Sequence, residues 1–541
     1  MKRWMSILLA VLMMVALIAC GGNTTPAAQN NTDTGNQTNT EPNQQTPSAQ
    51  AEKPDKEVNV TTGGEVKDTI KIALPKNVSE LTGSKGGTNA FNVMFQMYDM
   101  LVELDEEMKL TPKLATEWKQ INDTTWQFTL REGVKFHDGT DFTAEDAVAS
   151  IERIVTMEPK YFYASNWGEA WPPAAEADGD YTLLVTTPAY CLQLPNLLSR
   201  VPMVPAEYAE DENFFSEKLI GTGAYKFVSW EAGVSIKLEA FDGYWDGAPA
   251  VKNLQFDIIT DEAARLTAFQ SGEYDVVFDL PYDNVAALEA SGKRVDKVPL
   301  VSVSMIYFNP MNFEKNPIMA NPTFRKALCY AIDSYDIVNS IMNGYGHVVE
   351  GIASHQTIGA ANGEGLPHYD PEEAQRLMKE AGYNGEEITF FYVNGEFNNA
   401  LEMCEYAAST LEAAGVNVKF QEVESGVWKS TYQGKEGWDI CVNNVPGTFT
   451  GYSDYYWLHA LENKIGWRDE TVSAYIKEAN AARTIEERTA ALEKAMAAAW
   501  ELYPYLWASE VYGIYGVTNN LAGIEYVPLN ILYYRDAYYA N

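Results

Sequence analysis

The stretch GVKFHDGTDFTAED, Gly133 to Asp146, places one histidine, four carboxylates and a turn within fourteen residues. Its Asp-Gly step is typical of a tight turn, because these residues tolerate backbone conformations that other side chains avoid. Thr143 stands three residues before Asp146, ahead of an apolar run, which predicts a capped helix N-terminus. No nucleophile and no metal-ligand spacing connects His137 with the acids. The stretch is therefore predicted to be a corner of the fold and to have no catalytic role.

Alternating polar and apolar residues predict strands on both sides of this corner. DTIKIAL, Asp68 to Leu74, alternates in this way. TTWQFTLREGVKF, residues 124–136, is typical of a strand pair with Trp126, Phe128 and Leu130 on one face. The segment AFNVMFQMYDMLVELD between them predicts a helix.

The second half of the folded chain alternates helices and strands. Asn321 and Gly344 bracket one long predicted helix, and Asp370 and Gly382 bracket another. Residues 387–423 then predict a strand, a helix and a strand, a unit that implies a parallel pair with a right-handed crossover. The predicted class is α/β with mixed sheets.

The N-terminus predicts an export signal. Lys2 and Arg3 precede an apolar run, Trp4 to Ile18, that is short for a membrane span of about 20 residues. The run ends in LIAC, which resembles the lipobox of bacterial lipoproteins. The resemblance implies a signal peptide at residues 1–19, cleavage before Cys20 and lipid on its thiol. An ordinary signal peptide with an incidental cysteine is the alternative.

The next segment, residues 20–66, is rich in Asn, Thr, Gln, Pro, Ala and Ser. Such a composition cannot bury enough apolar surface to offset its ordering entropy, so we predict a disordered, lipid-anchored linker. The folded part would then lie outside the cell membrane. The formal net charge of −36 excludes nucleic acid as a partner, because phosphate contacts depend on Lys and Arg.

Cysteine is rare in the folded part, where Cys191, Cys329, Cys404 and Cys441 occur without a CxxC pair. A domain of this size can fold without disulfides even after export. We expect four mostly buried thiols, although the sequence leaves one disulfide open.

Several stretches resemble one family in the same order along the chain. They look like the substrate-binding lipoproteins of ABC importers, more narrowly the peptide- and nickel-binding family 5, which includes oligopeptide and dipeptide receptors. The matching stretches are PKLATEW (112–118), WQFTLREGVKFHDGTDFTAEDAVASIER (126–153), GTGAYKF (221–227), YWDGAPAVKNLQFDIITDEAARLTAFQSGEYDV (244–276), FRKALCYAIDSYDIV (324–338) and YDPEEAQRLMKEAGY (369–383).

The resemblance implies a fold like the type II periplasmic binding proteins, with two lobes of mixed sheets and helices joined by a hinge. Lobe I would comprise residues 67–112, 225–310 and 513–541, with a third subdomain at 113–224, and lobe II would comprise 311–512. Closure of the lobes over a ligand is the expected motion. An interface between lobes is also where ligands usually bind.

The resemblance also implies a ligand-binding aspartate. Peptide receptors of the family pair a cleft aspartate with the α-ammonium of the peptide, and Asp454 falls at that place. The family has a proline after this aspartate, whereas this chain has SDYYW. The alternative is a turn aspartate that caps the following helix.

Other predicted ligand contacts lie on the same segment, on an aromatic loop of the subdomain and at the strand that enters lobe II. Packing of the hinge side is the alternative for the first group. The predicted contacts are Asn444, Thr448, Phe449, Tyr452, Trp457, Tyr163, Trp167 and Asn309.

The predicted function is an extracytoplasmic, membrane-anchored lipoprotein that captures peptides and delivers them to an ABC permease with its ATPase, as a monomer and without a cofactor. The five histidines lack a two-ligand helix spacing, so no metal site is predicted. No GxSxG, HExxH or SxxK motif occurs, which argues against an enzyme. The alternatives are a receptor for oligosaccharides or other small solutes and a peptide-sensing receptor.

Overall fold

One large mixed sheet forms the centre of the molecule. The structure, a computed structural model, describes residues 64–81, 87–157, 167–361, 368–392, 399–423, 437–463 and 465–540. The strands are β1 Thr69–Leu74, β2 Val102–Leu104, β3 Leu110–Pro112, β4 Ala115–Gln120, β5 Thr125–Leu130, β6 Ala174–Ala177, β7 Thr182–Thr186, β8 Tyr225–Glu231, β9 Ser235–Ala240, β10 Asn253–Ile258, β11 Val276–Val277, β12 Arg294–Phe308, β13 Gly346–Val348, β14 Glu387–Tyr392, β15 Asn417–Glu422, β16 Ile440–Val445, β17 Tyr505–Val517, β18 Leu521–Ala522, β19 Glu525–Val527, β20 Ile531–Tyr533 and β21 Tyr538–Tyr539.

Helices cover this sheet and connect its strands. The main ones are α1 Gly87–Met97, α2 Ala144–Thr156, α3 Leu194–Leu198, α4 Glu262–Ser271, α5 Val285–Ala290, α6 Pro322–Tyr330, α7 Pro371–Ala381, α8 Ala400–Ala413, α9 Glu470–Ala481 and α10 Ile485–Trp500. None of the helices in the described ranges is long and apolar enough to cross a membrane.

Eleven of the described strands form the central sheet, in the order β15-β14-β16-β12-β17-β11-β1-β10-β9-β8, with β13 paired to β17 beside this path. β14 and β15 are parallel neighbours, as the strand–helix–strand pattern predicts. A separate antiparallel sheet has the order β4-β5-β7-β6.

Two long antiparallel strands connect the two ends of the central sheet. Residues 294–299 of β12 pair with 512–517 of β17, and residues 303–307 pair with 505–510. The register shifts between Pro299 and Val303, where the ladder is interrupted. Such irregularities bend a strand locally, so the two long strands change direction at this point.

Buried apolar residues form three large clusters in the described part of the chain. One lies within residues 101–203. A second combines residues 70–104 and 204–256 with the C-terminal residues 515–539, and the third draws mostly on residues 268–514. The lobe boundaries given above stay predictions.

The stretch from Gly133 to Asp146 forms the corner between strand β5 and the start of helix α2. The backbone N–H of Thr143 donates to Asp146 Oδ2 at 2.8 Å at the start of α2, as the N-cap pattern predicts. His137 is bonded to a distant glycine turn: Gly221 N–H donates to its Nδ1 at 3.2 Å, and its Nε2 lies 2.9 Å from Gly223 O. Burial lowers the pKa of His137 to about 4, so the ring is a neutral structural link.

The glycine turn itself packs against the C-terminal end of α1. Gly223 N–H donates to Met97 O at 2.9 Å. A Cβ on Gly223 would lie 2.5 Å from Met97 C and 2.6 Å from Gln96 O, so only glycine fits this approach.

Three local predictions differ from the structure. The helix predicted over AFNVMFQMYDMLVELD, residues 90–105, ends at Met97, and Val102–Leu104 form strand β2. The helix predicted from Asn321 to Gly344 ends at Tyr330, because the Asp333 carboxylate accepts from the N–H groups of Tyr335 and Asp336 and starts a new turn there. The strand pair predicted at 124–136 has only β5, and the chain then enters turns. Cys191, Cys329, Cys404 and Cys441 are buried free thiols, which confirms that expectation.

Candidate functional site

A small cavity, partly open to solvent, lies beside the segment that carries Asp454. Its walls come from two distant parts of the chain, because Gln193 precedes α3 while the other residues follow β16. The lining residues are Gln193, Thr450, Asp454, Tyr455, Leu458, His459 and Asn463. In the predicted division, Gln193 belongs to the subdomain and the remaining residues to lobe II.

The loop that carries these residues is held by hydroxyl groups and by a short backbone pairing. Thr448 Oγ1 accepts from Thr450 N–H at 3.1 Å, and the two threonine hydroxyls lie 2.7 Å apart. Ser453 Oγ donates to Gly359 O at 2.8 Å, and its backbone N–H donates to Ile358 O at 3.0 Å. These bonds connect the loop to itself and to the segment at Ile358 and Gly359.

Asp454 is buried and forms an ion pair with Arg488 of α10. Its Oδ2 accepts from Arg488 Nη2 at 2.8 Å, and the Arg488 side chain is only 3 % exposed. No backbone N–H of the described residues donates to the Asp454 carboxylate. The alternative, in which Asp454 caps the following helix, therefore has no hydrogen bond to support it. The second oxygen, Oδ1, accepts from no described donor, and Asp454 borders the cavity.

Arg488 joins both walls of the cavity. Its Nη1 donates to Ala479 O and Asn480 Oδ1, each at 3.0 Å, and its Nη2 also donates to Gln193 Oε1 at 3.2 Å. The ring of Tyr452 lies 4.5 Å from the guanidinium carbon. The arginine thus positions Asp454 while it contacts the opposite wall through Gln193.

Arg483 forms a second contact between the predicted subdomain and the predicted lobe II. The Arg483 guanidinium lies 3.1 Å from Asp123, at the turn between β4 and β5, and 4.1 Å from the ring centroid of Tyr190. The Tyr190 hydroxyl also donates to Arg483 O at 3.2 Å. Both carboxylate oxygens of Asp123 lie within reach of the guanidinium, which is the strong two-point geometry.

Aromatic rings and a further arginine surround the loop. Phe449 meets Phe91 and Phe95 of α1 edge-on, with centroids 5.7 and 6.1 Å away. The guanidinium of Arg200 lies 4.3 Å from the Phe91 ring centroid and 4.8 Å from that of Phe449. Tyr455 stacks on His459 at 4.8 Å. Burial raises the pKa of Tyr455 to about 12, while the charge of Arg200 opposes that rise.

The remaining predicted contacts have structural partners. Asn444 Oδ1 accepts from Ser302 Oγ at 2.9 Å, and Asn309 Nδ2 donates to Trp438 O at 3.0 Å. Trp457 and Trp167 are buried in two different apolar clusters and are not among the cavity residues. Tyr163 lies outside the described residues. A ligand-binding role for each of the eight stays a prediction.

Sequence reasoning missed Gln193, Tyr455, His459, Arg200 and Arg488. Arg488 alone has a recognisable signal, since it falls on the buried face of α10 together with the apolar residues of that helix. An arginine on such a face requires a polar partner, which here is Asp454. Tyr455 and His459 lie beside Asp454 on the segment that the sequence singled out, whereas Gln193 and Arg200 come from a distant segment and have no local signature.

Comparisons with known proteins agree with this architecture. A model of the family described as "Bacterial extracellular solute-binding proteins, family 5 Middle" matches residues 109–467. The glutathione-binding protein GsiB from Shigella dysenteriae serotype 1 is 25 % identical over 465 residues, covering 81 % of this chain and 88 % of that protein. GsiB from Escherichia coli K12 has the same identity and coverage.

Solved structures of low identity share the fold. The ABC transporter substrate-binding protein CtaP from Listeria monocytogenes superposes with a TM-score of 0.79 at 20 % identity, covering 88 % of this chain and 100 % of its own. The oligopeptide-binding protein AppA from Bacillus subtilis, in complex with a nonapeptide, gives 0.74 at 21 % identity, covering 89 % and 100 %. DppA from Helicobacter pylori, in complex with the peptide STSA, gives 0.75 at 21 %, covering 88 % and 99 %.

These superpositions confirm the predicted fold class, the mixed α/β fold of type II periplasmic binding proteins. The family model spans well over half of the chain. The chain therefore belongs to family 5 of the bacterial extracellular solute-binding proteins.

Proposed function

We propose that this protein is an extracytoplasmic lipoprotein that captures peptides in a cleft between two lobes and delivers them to an ABC permease and its ATPase. The observation that carries the proposal is Asp454, a buried carboxylate that lines the cavity while Arg488 holds one of its two oxygens. Similar proteins that bind a nonapeptide, the peptide STSA and glutathione support a peptide as the solute.

The chemistry of a peptide amine fits this carboxylate. An ammonium group that leaves water requires a charge-assisted hydrogen bond, since an uncompensated buried charge is costly. Asp454 Oδ1 supplies the acceptor, and the Arg488 contact fixes its position. The pair of Asp454 and Arg488 carries no net charge, so a bound ligand ammonium adds one positive charge to the site. A negative group elsewhere on the ligand would balance that charge.

The first experiment is native mass spectrometry of the protein as purified, to detect retained cargo. Peptide masses would support the proposal and would reveal the preferred length. A single glycan, chelate or other non-peptide mass would contradict peptide capture while leaving the receptor role in place. Loss of uptake of the retained peptide in cells without this protein would distinguish import from sensing.

The role of Asp454 is tested with Asp454→Asn, which keeps an oxygen for Arg488 and removes the charge. Hydrogen bonds to charged groups contribute about 1.5–3 kcal/mol, so a free-amine peptide should bind roughly 10- to 100-fold more weakly. An N-acetylated peptide should bind wild type and variant alike. Asp180→Asn, at an exposed position, is the control. Equal calorimetric affinity of Asp454→Asn and wild type for the free-amine peptide would exclude the role.

Anchoring through Cys20 is the second part of the proposal. The basic start, the apolar run and LIAC support it, and Cys20 lies outside the described residues. Cys20→Ser should move the protein from the membrane fraction to the soluble fraction and abolish acyl labelling. Unchanged acyl labelling in the variant would contradict lipid attachment at this cysteine.

A further inference from the structure

Two exposed histidines lie side by side over a buried carboxylate. His347 on β13 is the antiparallel partner of Glu510 on β17, so these two side chains lie on one face of the sheet. His355 follows β13, and its ring centroid lies 4.4 Å from that of His347, with the rings inclined by 48°. Both imidazoles are exposed, whereas the Glu510 side chain is only 1 % exposed. None of the three residues lines the cavity beside Asp454.

The carboxylate of Glu510 contacts His355 through both of its oxygens. Oε1 accepts from the backbone N–H of His355 at 2.6 Å, and Oε2 lies 2.5 Å from the Nδ1 atom of the same residue. An ionised carboxylate only accepts hydrogen bonds, so Nδ1 carries the proton of the neutral ring and Nε2 keeps a free lone pair. A histidine that binds a metal ion is usually held in this way, because its second N–H donates to a carboxylate or a carbonyl.

The charge of Glu510 has no cationic side chain close to it. Among the described residues, no lysine or arginine lies within 4 Å of this carboxylate, and Oε2 has no hydrogen-bond partner besides the imidazole contact. A buried charge without a compensating charge is costly. A cation bound at Nε2 of His355 would lie one imidazole ring away from the carboxylate and would reduce that cost.

The spacing of the two rings suits one metal ion. Imidazole nitrogens are good ligands for Zn²⁺ and Cu²⁺. Two nitrogens that bind one tetrahedral ion at about 2.0–2.1 Å lie roughly 3.3 Å apart, which the exposed His347 ring can reach by rotation. No group of three His, Cys, Asp or Glu side chains in the described ranges is arranged to hold a metal ion. The protein would therefore supply two ligands, and water would supply the others.

We propose that His347 and His355 bind a divalent transition-metal ion, Zn²⁺ or Cu²⁺, and that Glu510 positions His355 for this purpose. The two histidines lie on a strand and on the loop that follows it, so no helix spacing in the sequence indicates them. Glu510 is also the partner of Val303, where the ladder between β12 and β17 resumes after its interruption. The ion would connect β13 with the following loop beside this irregularity. Metal binding at this place does not depend on peptide capture.

Titration with metal ions alone tests the site. The purified protein, without a histidine tag and after treatment with a chelator, is titrated with ZnCl₂ or CuCl₂ in a calorimeter. Electron paramagnetic resonance of the Cu²⁺ complex reports the number of bound imidazole nitrogens. The variants are His347→Gln, His355→Gln and Glu510→Gln, of which the last keeps an oxygen for the backbone N–H of His355. His368→Gln removes an exposed histidine that stacks on Tyr335 and is the control.

Wild type and His368→Gln should bind one equivalent of metal with equal affinity, and the Cu²⁺ spectrum should show two imidazole nitrogens. Glu510→Gln should bind about 10- to 100-fold more weakly, the usual effect of losing a group that orients a ligand. His347→Gln and His355→Gln each lose a ligand and should bind more weakly still. Zn²⁺ should raise the melting temperature of wild type, because it binds the folded state, and should raise that of the two histidine variants less.

Several results would overturn the proposal. Wild type that binds no stoichiometric Zn²⁺ or Cu²⁺ has no such site. Unchanged affinity in folded His347→Gln and His355→Gln would show that the ion binds to other residues. Unchanged affinity in Glu510→Gln would refute its positioning role. Circular dichroism of each variant, measured without metal, establishes that it is folded.

Discussion

At the scale of single residues, His137 is a neutral buried link whose function is to join two distant turns. Burial lowers its pKa from 6.5 to about 4, because the charged ring would lose its hydration. As the pH falls from 6.5 towards 4, His137 becomes protonated in the unfolded chain but stays neutral in the folded chain. The free energy of unfolding should therefore fall by at most about 3 kcal/mol from this residue.

Denaturant titrations at several pH values measure this effect in wild type and in His137→Gln. The variant is less stable at neutral pH, since Gly221 and Gly223 lose bonds to the ring, and its stability should depend less on pH in this window. Identical pH dependence in the two proteins would show that His137 is charged when folded or does not contribute.

At the scale of elements, two amide side chains of α1 form hydrogen bonds with the backbone of the C-terminal segment, as the backbone of a neighbouring strand would. Asn92 accepts from Leu532 N–H at 2.8 Å and donates to Asn530 O at 2.7 Å. Gln96 donates to Leu532 O at 2.8 Å and accepts from Tyr534 N–H at 3.2 Å. In this way α1 binds β20, which lies more than 400 residues later in the chain.

Gln96→Leu should lower the free energy of unfolding by about 1–3 kcal/mol for each backbone group left without a partner. The side chains are similar in size, so packing changes little. Gln270→Leu, on the exposed face of α4, makes the same replacement without such bonds and is the control. Equal unfolding midpoints of Gln96→Leu and wild type would refute the role of the amide.

At the scale of the whole molecule, the ion pair between Asp123 of the predicted subdomain and Arg483 of the predicted lobe II should favour the closed state of the predicted lobes. Asp123 and Arg483 are 77 % and 52 % exposed, so their ion pair is worth about 0.2–1 kcal/mol and is screened by salt. Asp123→Asn should weaken peptide binding up to about fivefold at low salt and less at high salt, because closure is coupled to binding.

Asp141→Asn removes another exposed ion pair, with Lys135, that lies within the corner from Gly133 to Asp146. Calorimetric affinities for one peptide at low and high salt compare the two variants. If Asp123→Asn binds as tightly as Asp141→Asn at low salt, the contact does not contribute to closure.

Local patterns allowed much of the fold to be predicted. The predicted caps at Thr143 and Asp370 and the predicted stop at Gly382, which has a left-handed backbone, lie at helix ends. The long helix from Asn321 failed because Asp333 offers a second cap inside an otherwise continuous apolar face. The apolar spacing continues past Asp333, so it predicts one helix. The backbone hydrogen bonds of the helix stop before Asp333 and begin again after it.

The sequence by itself determined the mixed α/β class, the helix caps, the corner role of Gly133 to Asp146 and, through ordered motifs, the family, since these depend on neighbouring residues. Only the tertiary structure decided the composition of the cavity. Arg488 pairs with Asp454 and also bonds to Gln193, and Arg200 contacts two phenylalanine rings from different segments. Contacts between residues hundreds of positions apart depend on how the buried surfaces of whole elements pack, and no local pattern records that packing.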